Sequence, residues 1–131
     1  MSWDSYITNL KQYSGVQEAC LCGQDGSIWA KSDGFQMQPQ EVSVLAKNTI
    51  SGTAAESVSY NGNRAVTVRC SDGAYMGKLG DQLCLAASAT KTGVVITAHL
   101  VKPGDKMPVS CLQLLHSACE TVSNYLKDNN I

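Results

Sequence analysis

From Ser57 to Leu100 the chain is almost entirely β-forming sequence, and its segments follow one another too closely for parallel pairing. SVSYNGNRAVTVRC, AYMGKLGDQLCLAAS and GVVITAHL carry Asn61-Gly62, Asp72-Gly73 and Thr92-Gly93 as turn signals. A parallel pair needs a crossover of a dozen or more residues, so this run predicts an antiparallel meander. Upstream, VQEACLCG and SIWAKS flank Gln24-Asp25-Gly26 and read as a further hairpin. Helical periodicity frames these strands. Trp3, Ile7 and Leu10 make one stripe and Tyr6, Leu10 and Tyr13 a second, in a helix that Ser2 can cap and that should end near Ser14-Gly15. In FQMQPQEVSVLAKNTI, Pro39 suits a first helical turn, with Val42, Leu45, Ala46 and Ile50 at helical spacing. After KPGDKMP, Ser110 can cap a last helix whose buried stripe is Leu112, Leu115, Cys119, Val122 and Leu126. The expected fold class is α/β. A single domain over residues 1–131 holds a central antiparallel sheet of about six to seven strands, with N- and C-terminal helices on one face and a short helix on the other.

A chain of 131 residues buries roughly two thirds of its unfolded surface, enough to stay folded without a metal or a disulfide. Its net charge of −1 and 16% charged residues give no field that would gather nucleic acid. The N-terminus lacks a basic region followed by an apolar one, and no apolar run approaches the ~18 residues of a membrane span, so a soluble, cytoplasmic protein is expected. A monomer is expected as well. The six cysteines, at 20, 22, 70, 84, 111 and 119, contain no C-x-x-C pair and mostly sit in apolar runs. They are expected to be free, buried thiols. Cys20 and Cys22 would share a strand face, but two further ligands at finger-like spacing are missing. Slow dimerisation on oxidation is expected only if one thiol is exposed and activated by a helix N-terminus, and Cys111, near the start of its helix, is the candidate.

Little in the chain suits catalysis. His99 ends a strand-like run, and His116 lies on the polar side of the last helix with Gln113, Ser117 and Glu120. Neither is placed by sequence context beside an oriented nucleophile. Phosphate-binding glycine loops, calcium loops and zinc-protease motifs are missing, so no enzyme, cofactor or metal is expected.

The aromatic residues are more informative. Only eight occur, and Trp3, Tyr6, Trp29 and Tyr125 fall in the terminal helices and the first hairpin. With both terminal helices on one face of the sheet, the four rings could converge. Flat rings edged with a phenol OH and an indole NH suit a polyproline II helix, whose prolines stack between rings while its carbonyls accept hydrogen bonds. Burial of the same rings in the core is the other reading.

WDSYI at 3–7 with Asn9, DGSIWA at 25–30 and CETVSNYL at 119–126 resemble the profilin family, and the order of elements agrees over essentially the whole chain. The resemblance implies a cytoplasmic, cytoskeleton-associated protein. Such a protein binds monomeric actin, promotes nucleotide exchange on it, regulates its polymerisation, holds proline-rich proteins and interacts with phosphoinositide lipids. Carried over by position, the polyproline surface is Trp3, Tyr6 and Trp29 with Tyr125, and Asn9 and Ser27 add polar contacts. The implied actin face is Arg64, Arg69 and Lys78 with His116, Ser117, Glu120 and Thr121. Lys and Arg occur singly along the chain, with no polybasic run for a lipid surface. A small-molecule sensor or a signalling or trafficking module on a similar scaffold is the alternative, and it would place the aromatics around an internal cavity.

Overall fold

The structure, a computed structural model, describes residues 3–52, 57–71, 73–102 and 104–130. These form α1 (Trp3–Lys11), β1 (Glu18–Gly23), β2 (Ile28–Lys31), α2 (Pro39–Ser51), β3 (Ser57–Tyr60), β4 (Asn63–Ser71), β5 (Ala74–Leu79), β6 (Leu83–Ala89), β7 (Gly93–Leu100) and α3 (Cys111–Asp128). The sheet has seven strands in the order β2-β1-β7-β6-β5-β4-β3, and every pair is antiparallel. The expected meander is therefore present from β3 to β7, and the first hairpin joins it through β1 against β7.

Two layers of core follow from the alternation of side chains along the strands. Under α2, Val42, Leu45 and Ala46 pack on Tyr60, Tyr75, Leu85 and Ile96. On the opposite face, Ile7 and Leu10 of α1 and Leu115, Cys119 and Leu126 of α3 cover Leu21, Ala86 and Val95. Side-chain bonds fix how the elements meet. His99 Nδ1 lies 2.9 Å from the Gly15 carbonyl, and the Gln17 amide bonds both backbone groups of Leu100, tying the end of α1 to β7. Glu41 closes a capping box at α2 with the Gln38 N–H and also accepts from the N–H groups of Asn61 and Gly62. That turn has positive φ at both residues, as a two-residue hairpin turn requires.

Several boundaries differ from the sequence expectation. Helix α1 stops at Lys11, and i to i+3 bonds from Gln12 and Tyr13 tighten its exit. The run from Ala74 to Ser88 breaks at Gly80-Asp81 into β5 and β6, with the Gln82 N–H donating to the Leu79 carbonyl. Gly93 opens β7 opposite Gly23 and closes the turn from Thr90, whose N–H donates to the Gly93 carbonyl and whose Oγ1 accepts the Gly93 N–H at 2.8 Å. Ser110 makes no side-chain cap and sits at φ 58°. Thr49 takes the buried place expected for Ile50 by donating its hydroxyl to the Leu45 carbonyl, while Leu112 is only partly buried and Cys111 lies inside. Ser2 and Asp72 lie outside the described residues.

All six cysteines are free, and five are buried. Cys119 is enclosed by Thr97 Oγ1 at 3.2 Å and the Ala86 carbonyl at 3.5 Å. Burial pushes its thiol from the ordinary 9.0 up to about 12. Keeping Cys119 neutral therefore contributes stability that is complete below pH 9.0 and is lost as the pH rises toward about 12. At about pH 10.5 the expected loss from this one thiol is about 2 kcal/mol. Urea midpoints measured from neutral to alkaline pH should fall, and Cys119→Ala should flatten that slope. An unchanged slope in the variant contradicts the assignment.

Candidate functional site

Helices α1 and α3 pack beside each other on one sheet face, and β2 brings Trp29 to their edge. The rings form one row. Trp29 stacks on Trp3 with centroids 4.7 Å apart at 29°, Trp3 meets Tyr6 at 5.8 Å, and Tyr6 meets Tyr125 at 6.1 Å. Trp3, Tyr6 and Trp29 are half-buried, while Tyr125 is 50% exposed. They line the surface and not an internal cavity, so the arrangement expected of a small-molecule sensor is absent from these rings.

Two glycines seat this row. Gly23 and Gly93 face each other across β1 and β7, and the Trp29 indole lies over them. A Cβ on Gly93 would come within 2.7 Å of the Trp29 ring and would also meet the Cys22 carbonyl; one on Gly23 would stand 3.3 Å from Trp29 Nε1. Ser27 lies in the hairpin turn two residues before Trp29, its N–H donating to Asp25 Oδ1 at 2.9 Å. That bond and the Ser27 hydroxyl hold the Asp25 carboxyl below its ordinary range.

Beyond Tyr6 the row opens into a groove of ≈ 330 Å³ between α1 and α3, lined by Tyr6, Asn9, Tyr13, Thr121, Val122 and Tyr125 among others. Asn9 thus joins the aromatic surface. Thr121, expected on the other face, joins it as well. Tyr13 was legible only as part of a helical stripe, and Gly93 only as a turn residue.

The second set of residues lies past α3. The extra residue Val68 in β4, opposite β5, turns both Val68 and Arg69 to the α3 side of the sheet, where Arg64, Val66, Met76 and Lys78 also project. Val66 and Val68 are 57% and 56% exposed. Arg69 shares a polar cleft with His116, Glu120 and Lys127. His116 Nε2 approaches Glu120 Oε2 at 3.0 Å. Arg64 is held by Ser57 Oγ at 3.0 Å, and Lys78 lines a separate cleft with Val68 and Met76. Ser117 stands exposed on the crest of α3 between its two flanks. No residue is common to the linings of the α1–α3 groove and the Arg69 cleft. Among the described residues no helix is long and apolar enough to cross a membrane.

A family model described as Profilin matches residues 1–131. Profilin of Branchiostoma belcheri is 31% identical over 131 residues, covering 98% of this chain and 94% of that protein. The structure of profilin IA from Acanthamoeba castellanii superposes with a TM-score of 0.80 at 25% identity, covering 99% of this chain and all of that one. The same fold recurs in mouse profilin IIa in complex with a double repeat from the FH1 domain of mDia1, at TM-score 0.65 and 20% identity over the whole of both chains. It recurs also in a LokiProfilin2/rabbit actin complex, at TM-score 0.68 and 15% identity, covering 95% of this chain and 98% of that one.

Proposed function

The chain belongs to the profilin family, and from that premise we propose that its two solvent faces hold two ligands at once. The row Trp29-Trp3-Tyr6-Tyr125, with Asn9 at the α1–α3 groove, takes a proline-rich segment. The face made by Arg64, Arg69, Lys78, His116 and Glu120, with Val66 and Val68 as its apolar centre, takes monomeric actin. Bringing actin to a proline-rich assembly factor, and promoting nucleotide exchange on it, regulates polymerisation. Phosphoinositide headgroups would meet the same arginines, spaced singly and so attracting them weakly.

The observation that carries this reading is the division made by α3. Its Thr121–Val122–Tyr125 flank borders the aromatic groove, its His116–Glu120–Lys127 flank borders Arg69, and the two clefts share no residue. Sites without shared partners behave nearly independently. Arg69→Glu should therefore weaken actin binding, most strongly at low salt where electrostatic attraction reaches furthest, and leave polyproline affinity within about twofold. Analytical ultracentrifugation of the protein with actin and a proline decamer should show a ternary complex. Displacement of actin by the peptide would overturn the two-face assignment.

A further inference from the structure

Tyr13 is a large aromatic residue that the core does not use. It lies just past Lys11, the last residue of α1, and continues the helical stripe of Tyr6 and Asn9. Its backbone is pinned on both sides: its N–H donates to the Leu10 carbonyl at 3.1 Å, and its own carbonyl accepts the Val16 N–H at 3.2 Å. The turn that carries it is anchored in turn by Gly15. A Cβ on that glycine would stand 3.1 Å from the Leu114 side chain of α3, and its carbonyl lies 2.9 Å from His99 Nδ1. The Tyr13 ring is nevertheless 36% exposed and stands outside the apolar cluster that Trp3, Tyr6 and Trp29 join. A fixed backbone that holds a ring toward solvent is a pre-organised contact.

Among the described residues Tyr13 meets no other ring, and the space between it and Tyr6 is the α1–α3 groove, with Thr121 and Val122 on its far side. No Asp, Glu, Lys, Arg or His lines this groove. The Asn9 amide, the Thr121 hydroxyl and the tyrosine phenols instead set hydrogen-bond donors around the ring faces and Val122. Such a surface suits a segment that is neutral and rich in acceptors. A proline run is both, having no N–H of its own and carbonyls that no internal bond uses. The length agrees as well. Two helical turns separate Tyr6 from Tyr13, roughly 10 Å at ~1.5 Å per residue, and one turn of a polyproline II helix advances about 9 Å.

We propose that Tyr13 is a fifth ring of the proline surface, and that the α1–α3 groove holds one further turn of the polyproline II segment seated on the other four. The inference rests on the reading of the aromatic row given above and adds a length requirement to it. The neighbouring centroids of that row are 4.7, 5.8 and 6.1 Å apart. A proline hexamer, ~19 Å long at ~3.1 Å per residue, spans the row and stops short of Tyr13, whereas a decamer of ~31 Å reaches it. Long proline runs are thereby selected over short ones by a ring that takes no part in holding the short ones.

Tryptophan fluorescence titrations with a proline hexamer and a proline decamer test this. Tyr13→Ala should weaken the decamer about five- to tenfold and leave the hexamer within about twofold. Comparing variant with unmodified protein at each length cancels the larger number of registers open to the longer peptide. Thr121→Arg fills the groove from α3 without touching the turn that carries Tyr13, and it should give the same length-selective loss even if Tyr13→Ala disturbs that turn. Equal losses for both peptides in both variants, or an unchanged decamer affinity, would overturn the proposal. Trp3→Ala separates it from the reading beneath it, because that variant should lose both peptides. Retention of both would overturn the aromatic row and the extension with it, whereas their loss in Trp3→Ala beside an unchanged decamer in Tyr13→Ala would overturn the extension alone.

Discussion

Replacing Trp3 by Ala should weaken binding of a proline decamer by at least about 30-fold while leaving the domain folded. A ring that anchors a ligand commonly contributes about 2 kcal/mol or more to it, and Trp3 is one of the two inner members of the row, stacked on Trp29 and tilted against Tyr6. The unmodified protein should bind the decamer with roughly micromolar to submillimolar affinity, because a preformed polyproline II helix loses little entropy but offers modest area. Fluorescence of Trp3 and Trp29 reports the binding. Trp3 is half-buried at the outer edge of its cluster, so its removal should cost about 1 kcal/mol of stability, a few degrees in Tm. A fall of many degrees, or an unchanged affinity, would mean that the ring serves the core.

Gly93→Ala should have the second large effect, through geometry alone. The added methyl meets the Trp29 ring on one side and the Cys22 carbonyl on the other. Overpacking of this kind costs about 1–3 kcal/mol, and the indole is the part able to move. Once Trp29 shifts, Trp3 loses its stacking partner, and proline binding should fall by about tenfold although residue 93 never touches the ligand. A double-mutant cycle with Trp29→Ala separates the two clashes. If the seat is the cause, the binding losses of the two substitutions are strongly non-additive. Full additivity, or a Gly93→Ala protein with unaltered fluorescence and affinity, would contradict this account.

Trp3 and Tyr6 stood out because a short helix needs only one apolar stripe and α1 carries two. Their convergence with Trp29 and Tyr125 depended on the two terminal helices sharing a sheet face, which they do. The partition of the other set was harder to read. Thr121 and Glu120 are neighbours in the chain, yet 100° of helical rotation sends one to the α1 groove and the other to Arg69. Arg69 itself reaches the α3 side through the bulge at Val68, and a single extra residue leaves no mark in an alternating pattern of Val, Thr and Arg. The glycine seat under Trp29 depends on Gly23 and Gly93 meeting in register across strands more than sixty residues apart in sequence, which no local pattern reports.

The extra residue at Val68 has a second effect on the face it serves. In an unbroken strand neighbouring residues point to opposite faces, so side chains on one face stand two residues apart. Because β4 sets two residues opposite one of β5, Val68 and Arg69 stand side by side on the α3 face, an apolar group and a cation within a single step of chain. Regular alternation offers no such pairing, so any surface that meets this strand has to match a hydrophobic and a charged contact at closer spacing than a plain β-strand would ask of it.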